Sequence, residues 1–198
     1  MNAAKDNGQD ESGISQMGND LPEESEELPH VTHNSGDNEW HTPALYIDAA
    51  RRVLGEIDLD PASNEIAQQT VRATTFYTKD DDGLAQHWAG RVYMNPPYAS
   101  GLVDEFIAKL CEHVEAGQVT AAVVLVNNAT ETQWFQEALS AASVVCFPRG
   151  RIRFLKPDGE LDSPLQGQAF LYFGADVDTF AGVFNAFGPC LPVPLARK

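Results

Sequence analysis

Basic charge is scarce in this chain. Thirteen Lys and Arg stand against 29 Asp and Glu, a formal net charge of −16 over 198 residues. A basic footprint spread over the whole molecule is therefore excluded, and any contact with a polyanion has to be local. Cysteine is scarce too. Cys111, Cys146 and Cys190 are scattered with no C-x-x-C spacing, which argues against a zinc site or a disulfide framework and fits a reducing cytosol. The five histidines (His30, His33, His41, His87, His113) show no ligand spacing, so no metal is expected. The start is not basic-then-apolar, and no apolar run reaches about 18 residues. Neither a signal peptide nor a membrane span is expected.

The acids are unevenly placed. Residues 1–39 hold ten of them and one base, Lys5. This stretch is rich in Gly, Asn, Ser and Glu and poor in apolar residues, so it cannot bury enough surface to offset the entropy of ordering. We read residues 1–38 as a disordered acidic tail and 39–198 as one folded domain. The tail is either a solvated segment or a mimic of nucleic acid competing for a basic groove, and its partner is unknown.

From Trp40 the chain alternates helical and strand patterns. "TPALYIDAARRVLG" has a Thr cap, Pro at the first helical position, apolar residues at helical spacing and a Gly stop. "EIDLDPA" is a short strand ending in carboxylates, and "NEIAQQTVRA" a short helix. "FYTKDDDGLAQHWAG" is a loop with a turn at Asp82-Gly83. "RVYM" is a strand, "LVDEFIAKLCEHVEAG" an amphipathic helix, and "VTAAVVLVNNA" a central strand buried on both faces. "ETQWFQEALSAA" is helical, and "SVVCF" and "QAFLYFG" are strands. The alternation predicts α/β with a mainly parallel sheet. From residue 143 no long helix separates the strands, which predicts an antiparallel C-terminal hairpin. Trp40, Trp88 and Trp134 read as core, with Trp40 at the mouth of the site.

In an open α/β sheet, ligands bind outside the carboxyl ends of the strands. Three polar clusters fall there: Asp58 with Asp60, Asn95 to Tyr98, and Asn127-Asn128. In Asn95-Pro96-Pro97-Tyr98, proline locks φ and removes the N–H donor, so the carbonyls have fixed directions and few internal partners. The Asn95 side-chain oxygen and the Pro96 carbonyl can both accept from one NH₂ group, while the Tyr98 ring lies against the planar system bearing it. That apparatus grips an exocyclic amine and aims its lone pair at an electrophile. No strong base is needed, because the nitrogen turns acidic as it is alkylated.

This tetrapeptide resembles the (Asp/Asn/Ser)-Pro-Pro-(Tyr/Phe) motif of S-adenosylmethionine-dependent amino-methyltransferases, which act on adenine N6, cytosine N4, guanine N2 in RNA or glutamine N5 in proteins. "EWHTPALYIDAARR", "IDLDPASN", "FYTKDDDGL", "GRVYMNPPY", "ETQWF" and "GRIRFL" occur in this order. Over about residues 39–174 the chain thus resembles the compact phage-type DNA N-6-adenine methyltransferase (Dam) family. The resemblance implies a class I methyltransferase fold with a Rossmann-like, doubly wound sheet. It implies a site-specific DNA-methyltransferase using S-adenosylmethionine on an adenine flipped out of the duplex, encoded by phage or prophage and working in the bacterial cytoplasm, where restriction–modification is one setting. By the same resemblance, Thr42 and Pro43 line the cofactor's amino-acid end, and Asp60, with Asp58 as a second candidate, belongs to the cofactor pocket. Asp82 accepts from the cofactor's adenine. Asn95, Pro96 and Tyr98 hold the target base, and Pro97 shapes the loop. The glycine-rich turn usual after the first strand is missing, replaced by Pro61-Ala62-Ser63-Asn64.

"PRGRIRFLK" holds Arg149, Arg151, Arg153 and Lys156 with no acid. With Ile152 and Phe154 pointing inward, Arg151 and Arg153 share the outer face of a strand, a rail for DNA phosphates. The loop "KPDGELDSPLQGQ" beyond it has turn signals and is placed to probe a groove. Two other readings stay open: the same chemistry on RNA or a protein glutamine, and a non-catalytic DNA mimic built on this fold.

Overall fold

The structure is a computed structural model of the chain, and it describes residues 41–99, 101–156, 160–162 and 166–194. The acidic tail expected over 1–38, Trp40, and the tips of the 156–168 loop lie outside the described residues.

Helix α1 spans Ala44–Leu54 and buries Ile47, Ala49, Ala50 and Leu54. Its N-cap is Pro43, at φ −57°, with no side-chain capping bond. The expected Thr42 cap is therefore replaced: the Thr42 hydroxyl instead accepts from the Tyr93 hydroxyl at 2.9 Å in a buried pair. Gly55 ends the helix as expected, at φ +82°, a value that suits glycine. Strand β1 (Leu59–Asp60) follows, then α2 (Glu65–Val71), capped by Asn64, whose side-chain oxygen accepts from the Ile66 and Ala67 N–H groups. The Arg51 guanidinium of α1 donates to the Val71 and Thr70 carbonyls at 2.7 and 3.1 Å, placing a cation at the carboxyl end of α2.

The remaining elements are β2 (Thr75–Phe76), β3 (Gly90–Met94), α3 (Leu102–Glu115), β4 (Val119–Asn127), α4 (Gln133–Ala141), β5 (Val144–Cys146), β6 (Phe154–Leu155), β7 (Leu161–Asp162), β8 (Gln168–Phe173), α5 (Val177–Phe184) and β9 (Cys190–Pro192). Seven strands form one sheet in the order β2-β1-β3-β4-β8-β5-β9, and β6 pairs with β7 in a separate ribbon. Pairings from β2 to β4 are parallel, and β4–β8, β8–β5 and β5–β9 are antiparallel. Five of the seven strands thus point one way, and β8 and β9 run against them. The expected hairpin is present as the β5–β8 pair, with the β6–β7 ribbon set into its connection.

One helix, α5, and three short strands, β2, β7 and β9, were absent from the sequence reading. α5 contains Val, Thr, Phe and a Gly, all weak helix formers, so propensity does not announce it. Tertiary packing supplies what propensity lacks. Phe180 and Phe184 are fully buried, their rings stacked with centroids 4.3 Å apart, and Asp176 caps the first turn through the Thr179 N–H.

Alternation along the strands divides the core into two layers. Val92, Met94, Val124 and Val126 face α3 and α4. Tyr93, Val123, Leu125 and Phe170 face α1 and α5. The sheet is covered on both faces, which is why β4 reads as a continuous apolar run. Trp88 and Trp134 are buried as expected. Among the described residues no helix is long and apolar enough to cross a membrane.

Candidate active site at the carboxyl edge of the sheet

The chain leaves β1 toward β2 on one side and β3 toward β4 on the other. The winding reverses between β1 and β3, and such a reversal opens a crevice at the carboxyl ends of the two strands. Asp60 stands at one lip and Asn95 at the other.

Asp60 is 2% exposed. Its carboxylate accepts from the Gln68 side-chain amide at 2.9 Å and from the Ala62 N–H at 3.4 Å, with Ser63 adding a further bond. Burial outweighs these bonds and pushes its pKa up to about 6. These partners hold the 60–63 backbone in a tight bend without a glycine. A second loop presses onto this bend. Gly83 lies so close to Pro61 that a Cβ there would sit 2.1 Å from the Pro61 carbonyl oxygen. The Gly83 carbonyl is fixed from below by the Trp88 indole N–H at 2.8 Å. Asp82, at φ +50°, takes the left-handed conformation at this turn and its side chain is exposed. The turn after β1 and the Asp82-Gly83 turn are thus brought together, and Asp60 lies near enough to Tyr93 to act on its phenol.

Asp58 is taken up by Arg91. Its carboxylate accepts from the Arg91 backbone N–H, Nε and one terminal nitrogen, each at 2.8 Å, and these bonds hold its pKa below the usual carboxylate range. Arg91 also pairs with Glu56. The group sits at the amino end of β3, where the Asp58 carboxylate crowds Gly90. Along its own strand Asp58 lies two residues before Asp60, about 7 Å at roughly 3.3 Å per strand residue. Asp58, expected as a second candidate for the cofactor pocket, is thus held in an ion pair with Arg91. The alternation of acids in the sequence could not reveal a partner 33 residues away.

Asn95 and Tyr98 meet the end of β4. The Tyr98 hydroxyl accepts from the Asn127 backbone N–H at 2.5 Å, and its ring lies edge-on to Trp134 with centroids 6.3 Å apart. Burial raises the Tyr98 pKa far above the ordinary phenol value, so the group stays neutral. Pro96 is buried and Pro97 half-buried, which fixes the bend. Among the described residues nothing hydrogen-bonds the Asn95 side-chain amide.

The arginine segment leaves β5 at the same edge. Ile152 and Phe154 are buried while Arg151 and Arg153 are exposed, the alternation that the sequence predicts, although only 154–155 pair as a strand. The four cations are not equivalent. Arg149 donates to the Asn185 carbonyl at 3.3 Å, near the end of α5, and Lys156 pairs with Asp162 at 2.8 Å across the ribbon. Arg151 and Arg153 make no hydrogen bond or ion pair to another described residue. Leu155 bridges to His41 through two backbone hydrogen bonds of 2.8 and 3.0 Å, which places the segment beside Thr42.

Gln168, 4% exposed at the start of β8, was not singled out in the sequence. A lone amide opening an otherwise apolar strand is the signal that marks it. A model of the family described as DNA N-6-adenine-methyltransferase (Dam) matches residues 30–172. No curated protein matches the chain.

Proposed function

Starting from the chain's membership of the DNA N-6-adenine-methyltransferase (Dam) family, and so from a DNA adenine methyltransferase, we propose that the crevice between β1 and β3 takes S-adenosylmethionine beside an adenine flipped out of a duplex. On this reading the sheet is a Rossmann-like, class I methyltransferase sheet, which its reversal point and helices on both faces support. The edge is rich in acceptors, with the Asp60 and Asp82 carboxylates, the Thr42 hydroxyl and the strand-end carbonyls. Such a set suits S-adenosylmethionine, which is cationic at sulfur and ammonium and rich in donors. Thr42, Pro43, Asp60 and Asp82 would hold it, and when bound it supplies the electrophilic methyl group.

The chain's own residues act on the base. The Asn95 side-chain oxygen and the Pro96 carbonyl accept the two N6 hydrogens and direct the nitrogen lone pair toward the methyl carbon. Tyr98 offers its ring as a platform worth about 1–3 kcal/mol, which offsets part of the few kcal/mol needed to extrude the base. Its neutral phenol is no base, and none is required: N6 turns acidic as it takes the methyl group in exchange for the methyl–sulfur bond, and its proton would leave past the Asn95 and Pro96 oxygens to solvent. Arg151 and Arg153 contact phosphates and position the duplex. Rate enhancement comes from holding nitrogen and carbon at a near-attack separation of about 3–3.5 Å.

The observation that carries this reading is the Asn95–Tyr98 bend at the reversal point, locked to β4 by the Tyr98–Asn127 hydrogen bond. Duplex DNA incubated with the protein and methyl-labelled S-adenosylmethionine, then digested and analysed by mass spectrometry, should yield labelled N6-methyladenine. Asn95→Ala should abolish the product while calorimetry shows nearly intact cofactor binding. Tyr98→Phe should stay within about tenfold of native turnover, losing one hydrogen bond of about 0.5–1.5 kcal/mol. Tyr98→Ala should fall further. Native turnover in Asn95→Ala would remove the mechanism, and label appearing only in RNA or in a glutamine-bearing protein would remove DNA as the substrate.

A further inference from the structure

We infer that Gln168 is a positioning residue that fixes the distance between the arginine segment and the target-base pocket. The inference rests on reading Arg151 and Arg153 as phosphate contacts.

Gln168 uses both ends of its amide. Its side-chain oxygen accepts from the Ile152 N–H at 2.9 Å in a buried bond. Its side-chain nitrogen donates to the Gln166 carbonyl at 2.7 Å and reaches the Asn127 side-chain oxygen at 3.5 Å. Ile152 lies between the two exposed arginines, so one bond at its N–H sets where both guanidinium groups emerge. Asn127 lies at the other end of the connection, and its backbone N–H holds Tyr98. The β4–β8 register places Asn127 directly opposite Gln168. The rail and the base platform are therefore joined through one side chain.

A glutamine filling this place for packing alone would need only an acceptor for Ile152. The observed group needs a donor as well, which glutamate and leucine lack. In a duplex, the spacing between a phosphate and the base to be extruded is set by the nucleic acid. The protein must match it, and an error of about 1 Å at a reacting centre can cost a hundredfold in rate.

The test compares native protein with Gln168→Leu, Gln168→Glu and the double variant Arg151→Ala/Arg153→Ala. For each, the salt dependence of duplex binding, KM for DNA, kcat, S-adenosylmethionine affinity and thermal melting are measured. The double variant should lower the salt slope by up to about 1.8, since each phosphate contact contributes about 0.9. Gln168→Leu should melt cooperatively and bind S-adenosylmethionine as native does, yet lose much of that same slope and raise KM for DNA about tenfold. Gln168→Glu keeps the acceptor for Ile152 and loses the donor toward Asn127. It should keep slope and KM and lose kcat.

A folded Gln168→Leu with native slope and KM would overturn the inference while the rail stands, provided the double variant has lost slope. A double variant with native slope would overturn the rail and the inference together. If Gln168→Leu does not fold, Gln168→Glu decides alone: native kcat overturns the inference, and a lowered kcat at native KM supports it.

Discussion

Asp60 concentrates much of the site's electrostatics in one carboxyl group. Its folded pKa, about 6, lies above the ordinary value of 3.8, so the folded state holds the proton more tightly than the unfolded chain does. The stabilising preference for the protonated form is complete below about pH 4 and is lost as pH rises through about 6. At about 1.4 kcal/mol per unit, the full span is on the order of 3 kcal/mol. Asp60→Asn cannot titrate, so its stability relative to the native protein should improve by an amount of this order between pH 4 and pH 7. Urea unfolding at both pH values measures it, and parallel pH profiles for the two proteins would show that the carboxyl is not the titrating group. Asp58 makes the contrast. The same residue type two positions earlier is held ionised by Arg91, so the two acids of one short motif differ in state because one found a cation and the other only neutral amides and a hydroxyl.

At the scale of elements, the decisive contact is loop against turn. Gly83 backs onto the Pro61 carbonyl with no room for a Cβ. Gly83→Ala should therefore push the 78–86 loop off the 60–63 turn, lower the melting temperature by several degrees and weaken S-adenosylmethionine binding. Native cofactor affinity in that variant would show that the loop is not part of the pocket. The strong periodicities of α1, α3, α4 and β4 were legible in the sequence, because one pattern of apolar residues decides each. So was the placing of Asn95–Tyr98 after a strand, since two prolines cannot continue one. What was not legible depends on partners distant in the chain. Thr42 reads as a helix cap until Tyr93 claims its hydroxyl. α5 is specified by two phenylalanines that need the far face of the sheet, and Gln168 is explained only by Ile152 and Asn127. Nor does sequence say that Arg149 and Lys156 are engaged while their neighbours are not.

For the whole molecule, charge sets the terms of encounter. With a net charge of −16, the protein repels a duplex at long range, and on the proposed reading attraction has to come locally, from the edge where Arg151 and Arg153 are exposed. Removing residues 1–38 takes away nine acids and one base. The shortened chain should bind duplex DNA more tightly at low salt, with the gap closing as salt rises and the Debye length contracts. Its melting temperature should match that of the full chain. Titrations of labelled duplex at two salt concentrations measure the first effect and calorimetric scans the second. A shortened chain that melts well below the full one would show that residues 1–38 belong to the folded domain.

The bend after β1 carries one more consequence. Flexible glycine hinges must be frozen when something docks on them, and that freezing opposes association. Here Pro61 and the clasp of Asp60 with Ala62, Ser63 and Gln68 leave the backbone little freedom to lose. On the proposed reading this bend is a cradle rigid beforehand, so the entropic toll of docking falls on the incoming molecule instead of on the protein.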